Sequence, residues 1–190
     1  LQQNNGSSNV AIGHDSLKLN STGAGNVAVG RNTLDSNTTG SNNTAVGYEA
    51  LDGAVTMSNN VAVGSQCLTG SVTGGQNTAI GTESLEANTG GDDNVAVGYR
   101  ALEANTTGAR NVAVGRVALG SQATVSGNTA VGYYALGDNS TGQYNVAVGY
   151  QALDNNLASY NTAVGYSALT DNTTGNQNTA VGQDCLQNLT

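Results

Sequence analysis

The single histidine of this 190-residue chain, His14, stands beside Asp15, a pairing of the types used in general-base catalysis. Nucleophilic catalysis also needs an activated nucleophile and a group to orient the base, and no such constellation accompanies His14. The acid pairs Asp92 with Asp93 and Glu83 with Glu86 offer oxygen ligands for a hard cation. They do not recur with a fixed period, as the ligands of calcium-binding β-rolls do, so they read as solvated turn charges. Cys67 and Cys185, with one His in the chain, make a poor zinc set. No catalytic, cofactor-binding or metal site is expected, and the chain is not expected to be an enzyme.

Tyrosine and threonine are placed more regularly. Tyr48, Tyr99, Tyr133, Tyr150 and Tyr166 each follow the glycine of one short motif, and the last three fall in consecutive copies, which predicts an aromatic stripe. Such a row can contact sugar rings, making these residues a candidate glycan stripe, although mutual stacking between copies is the plainer role. Thr22, Thr39, Thr56, Thr73, Thr107, Thr124, Thr141 and Thr174 share another position. A flat Thr array would suit ice binding, but these residues lie in Gly-containing connectors where turn chemistry already favours Thr.

The scaffold behind these residues is a repeat. The motif begins at Asn9, Asn26, Asn43, Asn60, Asn77, Asn94, Asn111, Asn128, Asn145, Asn161 and Asn178, eleven copies spaced by 17 residues except for one spacing of 16. Its consensus is N-[VT]-A-[VI]-G-x-x-[small]-L, followed by a polar stretch often written N-T-T-G. The first Asn, the Ala, the Gly and the Leu never vary. Recurrent Gly, Asn and Thr argue against helix, whereas N-V-A-V-G is short, β-branched and alternating.

Composition supports a repeat rather than a globular core. The chain has no Phe, Trp or Pro, and 37% of its residues are apolar. A net charge of −8 with only five Lys and Arg excludes a basic phosphate-binding patch, so nucleic acid is not an expected partner. No apolar run approaches the roughly 18 residues that cross a bilayer, and membrane insertion is not expected.

A 17-residue β-unit cannot bury its own apolar side, so each copy must stack on the next. Residues 1–190 are thus expected to form one all-β repeat domain, a parallel β-roll of eleven coils roughly 50 Å long, each coil made of two short strands joined by turns. In a representative copy the structural ladder is Asn94, Ala96, Val97, Gly98 and Leu102, with the Val, the Ala and the Leu as core. Asn can bond from coil to coil, and Gly supplies the corner. Both faces of the strand are small or apolar, and the Ala row is expected to form an outer face that another chain buries, the competing architecture being a single-chain solenoid with the Ala face turned inward. Open ends would template aggregation, so neighbouring segments are expected beyond Leu1 or Thr190.

The segments "SNVAIG" at residues 8–13, "GNVAVG" at 25–30 and "DNVAVG" at 93–98 resemble the head repeat of trimeric autotransporter adhesins of the YadA type. That resemblance implies a left-handed parallel β-roll, three chains along a common axis, and an extracellular setting; the family's usual repeat is shorter. The longer form, "NTAVGYSAL" followed by "NTTG", resembles arrays of phage tail-fibre proteins that often precede a self-cleaving intramolecular chaperone. Together these imply a homotrimeric shaft or head on a virion or cell surface, with a cell-surface glycan or protein as receptor. The alternatives are an ice-binding solenoid and a bacterial adhesin head.

Overall fold

The computed structural model describes residues 4–53, 55–70 and 73–189. The chain winds into a parallel β-solenoid whose main sheet has eleven strands. These are β1 (Val10–Ile12), β2 (Val27–Val29), β3 (Thr44–Val46), β4 (Val61–Val63), β5 (Thr78–Ile80), β6 (Val95–Val97), β7 (Val112–Val114), β8 (Thr129–Val131), β9 (Val146–Val148), β11 (Thr162–Val164) and β13 (Thr179–Val181). Every neighbour is parallel and in register, so that Ala96 pairs with Ala79 on one side and Ala113 on the other. The 16-residue step keeps the same register, with Ala147 opposite Ala163.

Each strand is only three residues long because the motif brackets it. At its end Gly98 adopts φ 136°, and a Cβ there would lie 2.5 Å from the Gly115 carbonyl oxygen of the next coil. No side chain fits that approach, which explains why Gly never varies. At its start, each motif Asn carries the ladder: Asn94 N–H donates to Asn77 Oδ1 (2.9 Å), and Asn111 N–H donates to Asn94 Oδ1 (3.0 Å). Asn94 Nδ2 donates in turn to the Gly108 carbonyl (2.8 Å), so both ends of the buried amide are satisfied. The same relation crosses the short coil, from Asn161 N–H to Asn145 Oδ1 (2.8 Å).

The other half of the coil departs from the expectation of two strands. Among the described residues a second sheet forms only near the C-terminal end, from β10 (Asn155–Asn156), β12 (Asp171–Asn172) and β14 (Asn188–Leu189). Elsewhere the segment after the corner is still bonded from coil to coil: Arg100 N–H donates to Thr82 O (3.1 Å) and Leu102 N–H to Ala118 O (3.0 Å). It is not a strand because Arg100 and Leu102 are both left-handed, at φ 55° and 54°. Every repeat Leu from Leu17 to Leu186 shares this conformation, with φ between 51° and 54°. A non-Gly residue there costs about 1–2 kcal/mol, and burying a Leu side chain returns about 1.5–3 kcal/mol. The Leu residues from Leu17 to Leu169 are wholly buried, so burial wins.

The core is a narrow file of Leu, motif Ala and the small residue before each Leu, such as Ala101 and Cys67. This corrects the assignment of the strand's two faces. Ala96 points inward and is fully buried, as are the motif Ala residues from Ala28 to Ala180, while Val97 and its counterparts lie on the outer face and remain half exposed. On the inner side of the sheet the motif Ala methyls pack with the Leu file in one buried cluster.

Candidate interaction surfaces

The outward rows of the main sheet form the first surface. One row is Val or Thr and the other Val or Ile through all eleven strands, without a charged residue. Exposure is 37% for Val114 and Val131 in mid-sheet and reaches 59% for Ile12 and 67% for Val181 at its edges. The predicted outer Ala stripe is therefore replaced by an outer stripe of β-branched residues.

The second surface runs along the column just past the corner Gly. Tyr133 stacks on Tyr150 with ring centroids 5.1 Å apart, and Tyr150 on Tyr166 at 5.0 Å, with interplanar angles of 12° and 5°. The spacing follows the strand spacing, because each ring sits directly over its counterpart one coil away. Arg116 extends this file, its guanidinium 5.5 Å from the ring centroids of both Tyr99 and Tyr133. Of the five tyrosines expected in the stripe, four are thus joined, and Tyr48 stands apart behind Ser65 and Thr82, covered by Arg31 at 5.8 Å. A hydrogen bond with Glu49 raises the Tyr48 phenol above its usual range and lowers the Glu49 carboxyl. Since stacked rings cover each other's faces, the file presents ring edges and hydroxyls to solvent rather than platforms for a sugar ring.

A second stack, Tyr144 on Tyr160 at 5.2 Å and 16°, escaped the sequence reading. Its signal was available, because both residues immediately precede a motif Asn in consecutive coils. A second Asn ladder also went unread. The Asn of N-T-T-G is buried, and Asn105 Nδ2 reaches Asn88 Oδ1 (3.0 Å), as Asn37 Nδ2 reaches Asn20 Oδ1 (2.7 Å).

The Thr column is exposed, yet it lies in bends rather than on the flat sheet. Thr73 and Thr141 turn their hydroxyls into bonds with carbonyls of the next coil, at 3.2 Å and 2.7 Å. The neighbouring Thr38 and Thr106 do the same.

The candidate chemical groups stay dispersed. His14 pairs with Asp15 (3.3 Å), which also takes Lys18 (3.2 Å), while the adjacent Ser16 hydroxyl donates to the Ala28 carbonyl inside the coil. No base meets a nucleophile there. Glu83 and Glu86 are joined by Glu103, with carboxylate oxygens within 4.8 Å of one another, and Arg100 lies against Glu83 and Glu103. A guanidinium among three carboxylates supplies the charge that a cation would otherwise bring. Asp92 accepts the Gly75 N–H (2.7 Å), a turn role.

Fold and surfaces together define a parallel β-solenoid repeat protein whose distinctive features are laid out in files along its axis. No protein-family model, curated protein or solved structure matches the chain.

Proposed function

We propose that the chain is a non-enzymatic fibre segment, the shaft or head of a homotrimeric phage tail fibre or surface adhesin, displayed on a virion or outside a cell and supporting attachment. The observation that carries this reading is the outer β-branched face. Eleven strands about 4.8 Å apart, each three residues long at about 3.3 Å per residue, make a face of roughly 500 Å². A face of that size lies at the upper end of the apolar patches that monomeric proteins leave open to water, and patches of that size are often interaction sites. A second copy of the same face is its natural cover, since identical coils match it in period along the whole rod. The resemblance of N-V-A-[IV]-G to trimeric adhesin heads adds the number of chains and the left-handed winding. Three parallel chains would stiffen the rod and repeat any lateral contact three times.

Sedimentation velocity tests the assembly directly. The expected species has three times the 18.9 kDa chain mass. Val97→Asp with Val114→Asp should release monomers that keep their β-rich circular dichroism, because those side chains face outward. A wild-type chain that sediments as a monomer at micromolar concentration overturns the proposal. The rival ice-binding reading draws on the exposed Thr column, and its position in bends counts against it. Thermal hysteresis at the same concentrations, lost on Thr39→Val with Thr56→Val, would favour that reading instead.

A further inference from the structure

From His14 to Gln183, the position after the corner Gly never carries an acid. Between Tyr99 and Tyr166 this column becomes an unbroken file of five flat side chains, Tyr99, Arg116, Tyr133, Tyr150 and Tyr166. Arg116 is held in place by its two ring neighbours and by one hydrogen bond from Nη1 to Tyr133 Oη (3.1 Å). Unlike Arg100, it has no carboxylate within ion-pair distance among the described residues. A guanidinium with covered faces and no acidic partner keeps its remaining N–H groups for an outside anion.

We infer that this file is a binding strip for an extended anionic polysaccharide of the uronic-acid class, laid along the solenoid axis. Arg116 takes a sugar carboxylate through its planar fork, and the hydroxyls of Tyr133, Tyr150 and Tyr166 bond successive sugars. Three features select this ligand. The rungs are 5.0–5.1 Å apart, close to the advance of one sugar in an extended β-linked chain, whereas an extended peptide advances by about 3.3 Å per residue. The file offers hydroxyl groups and ring edges, which suit a polymer rich in hydroxyls. Its single unpaired cation amid a net charge of −8 suits a sparsely charged chain and not a polyphosphate. The biological setting rests on the attachment role proposed above, with the strip on the rim of the assembly beyond the corner that ends the sheet face.

Isothermal titration of the full chain with hyaluronan oligosaccharides, a β-linked chain with a uronate on every second sugar, against a neutral β-glucan of equal length, tests the strip. Binding is expected for the uronate polymer, weaker in high salt, and poor for the neutral one. Arg116→Gln should lower affinity about tenfold, as loss of a charge-assisted pair does. Tyr150→Phe, which keeps the stack and removes one hydroxyl, should lower it a few-fold with melting temperature unchanged. Absent binding, equal binding of the neutral polymer, or an unaffected Arg116→Gln would each overturn the inference. Sedimentation of the same samples separates the two proposals: a trimer that ignores the polymer removes only the strip, and a monomer that binds it removes only the fibre.

Discussion

Asn105 and Gly108 close on each other within one connector. Asn105 Nδ2 donates to the Gly108 carbonyl (3.1 Å), and a Cβ on Gly108 would stand 2.4 Å from Asn105 Oδ1. The amide therefore occupies the space a side chain would take, which is why N-T-T-G ends in glycine. In two full-length coils that Gly gives way to Met57 or Val125, and the Asn three residues earlier gives way too, to Ala54 and Gln122.

A double-mutant cycle should reveal this dependence. Gly108→Ala is expected to cost about 2 kcal/mol or more, because its Cβ also meets the Val125 carbonyl at 2.2 Å. Adding Asn105→Ala should recover part of that loss, with a coupling of about 1 kcal/mol in denaturant melts. Strict additivity would show that the two residues do not share the space.

The core is equally specific about size. Leu102→Ala should lose about 2–5 kcal/mol, a buried-Leu truncation, although Ala is a small residue like its neighbours. Ala96→Leu should cost about 1–3 kcal/mol by overfilling the file. Urea melts distinguish this from an outward Ala row, for which Ala96→Leu would leave stability unchanged or improve it.

Burial, with Asp138 and then Asp171 nearby, pushes the Asp154 carboxyl from 3.8 up to about 6. Its Oδ1 has no hydrogen-bond partner, while Oδ2 accepts from Gln151 Nε2 (3.3 Å). The folded state thus holds this proton more tightly than the unfolded chain. This contribution is full below about pH 4 and is lost as pH rises to about 6 and beyond. Screening by nearby water reduces it to on the order of 1 kcal/mol. Asp154→Asn should flatten this part of the stability profile and raise stability at pH 7; thermal melts from pH 4 to pH 8 that remain parallel for the two proteins would contradict it.

The two thiols should react differently. Cys67 is buried, donates weakly to the Gly64 carbonyl (3.2 Å), and is pushed up to about 12 by burial. Cys185 is only partly buried. Iodoacetamide at pH 8 should label Cys185 and spare Cys67 until the chain is denatured, as peptide mass mapping would show.

Much of the architecture was legible in the invariant positions. Asn94, Gly98 and Leu102 each announced a task by never varying, and the 17-residue spacing implied a stack in register. The left-handed Leu residues were not legible, because a positive φ is ordinarily a mark of Gly or Asn and burial overrode that preference here. The Tyr144–Tyr160 stack and the Asn88–Asn105 rung lay in sequence stretches that resemble common turn chemistry. Their partners are one coil away, and only the winding brings them together.

The period, the parallel register and the columns in which like residues recur all follow from spacing alone. Which side of the strand faces inward was decided by the tertiary structure. Val95, Ala96 and Val97 satisfy the two-residue alternation with either face buried, so pattern could not choose between them. The packing against the Leu file made the choice: the Ala96 methyl lies wholly buried in the same cluster as the Leu side chains, and Val97 stays partly exposed. That packing places the β-branched rows outside, where the proposed partner chains would meet them.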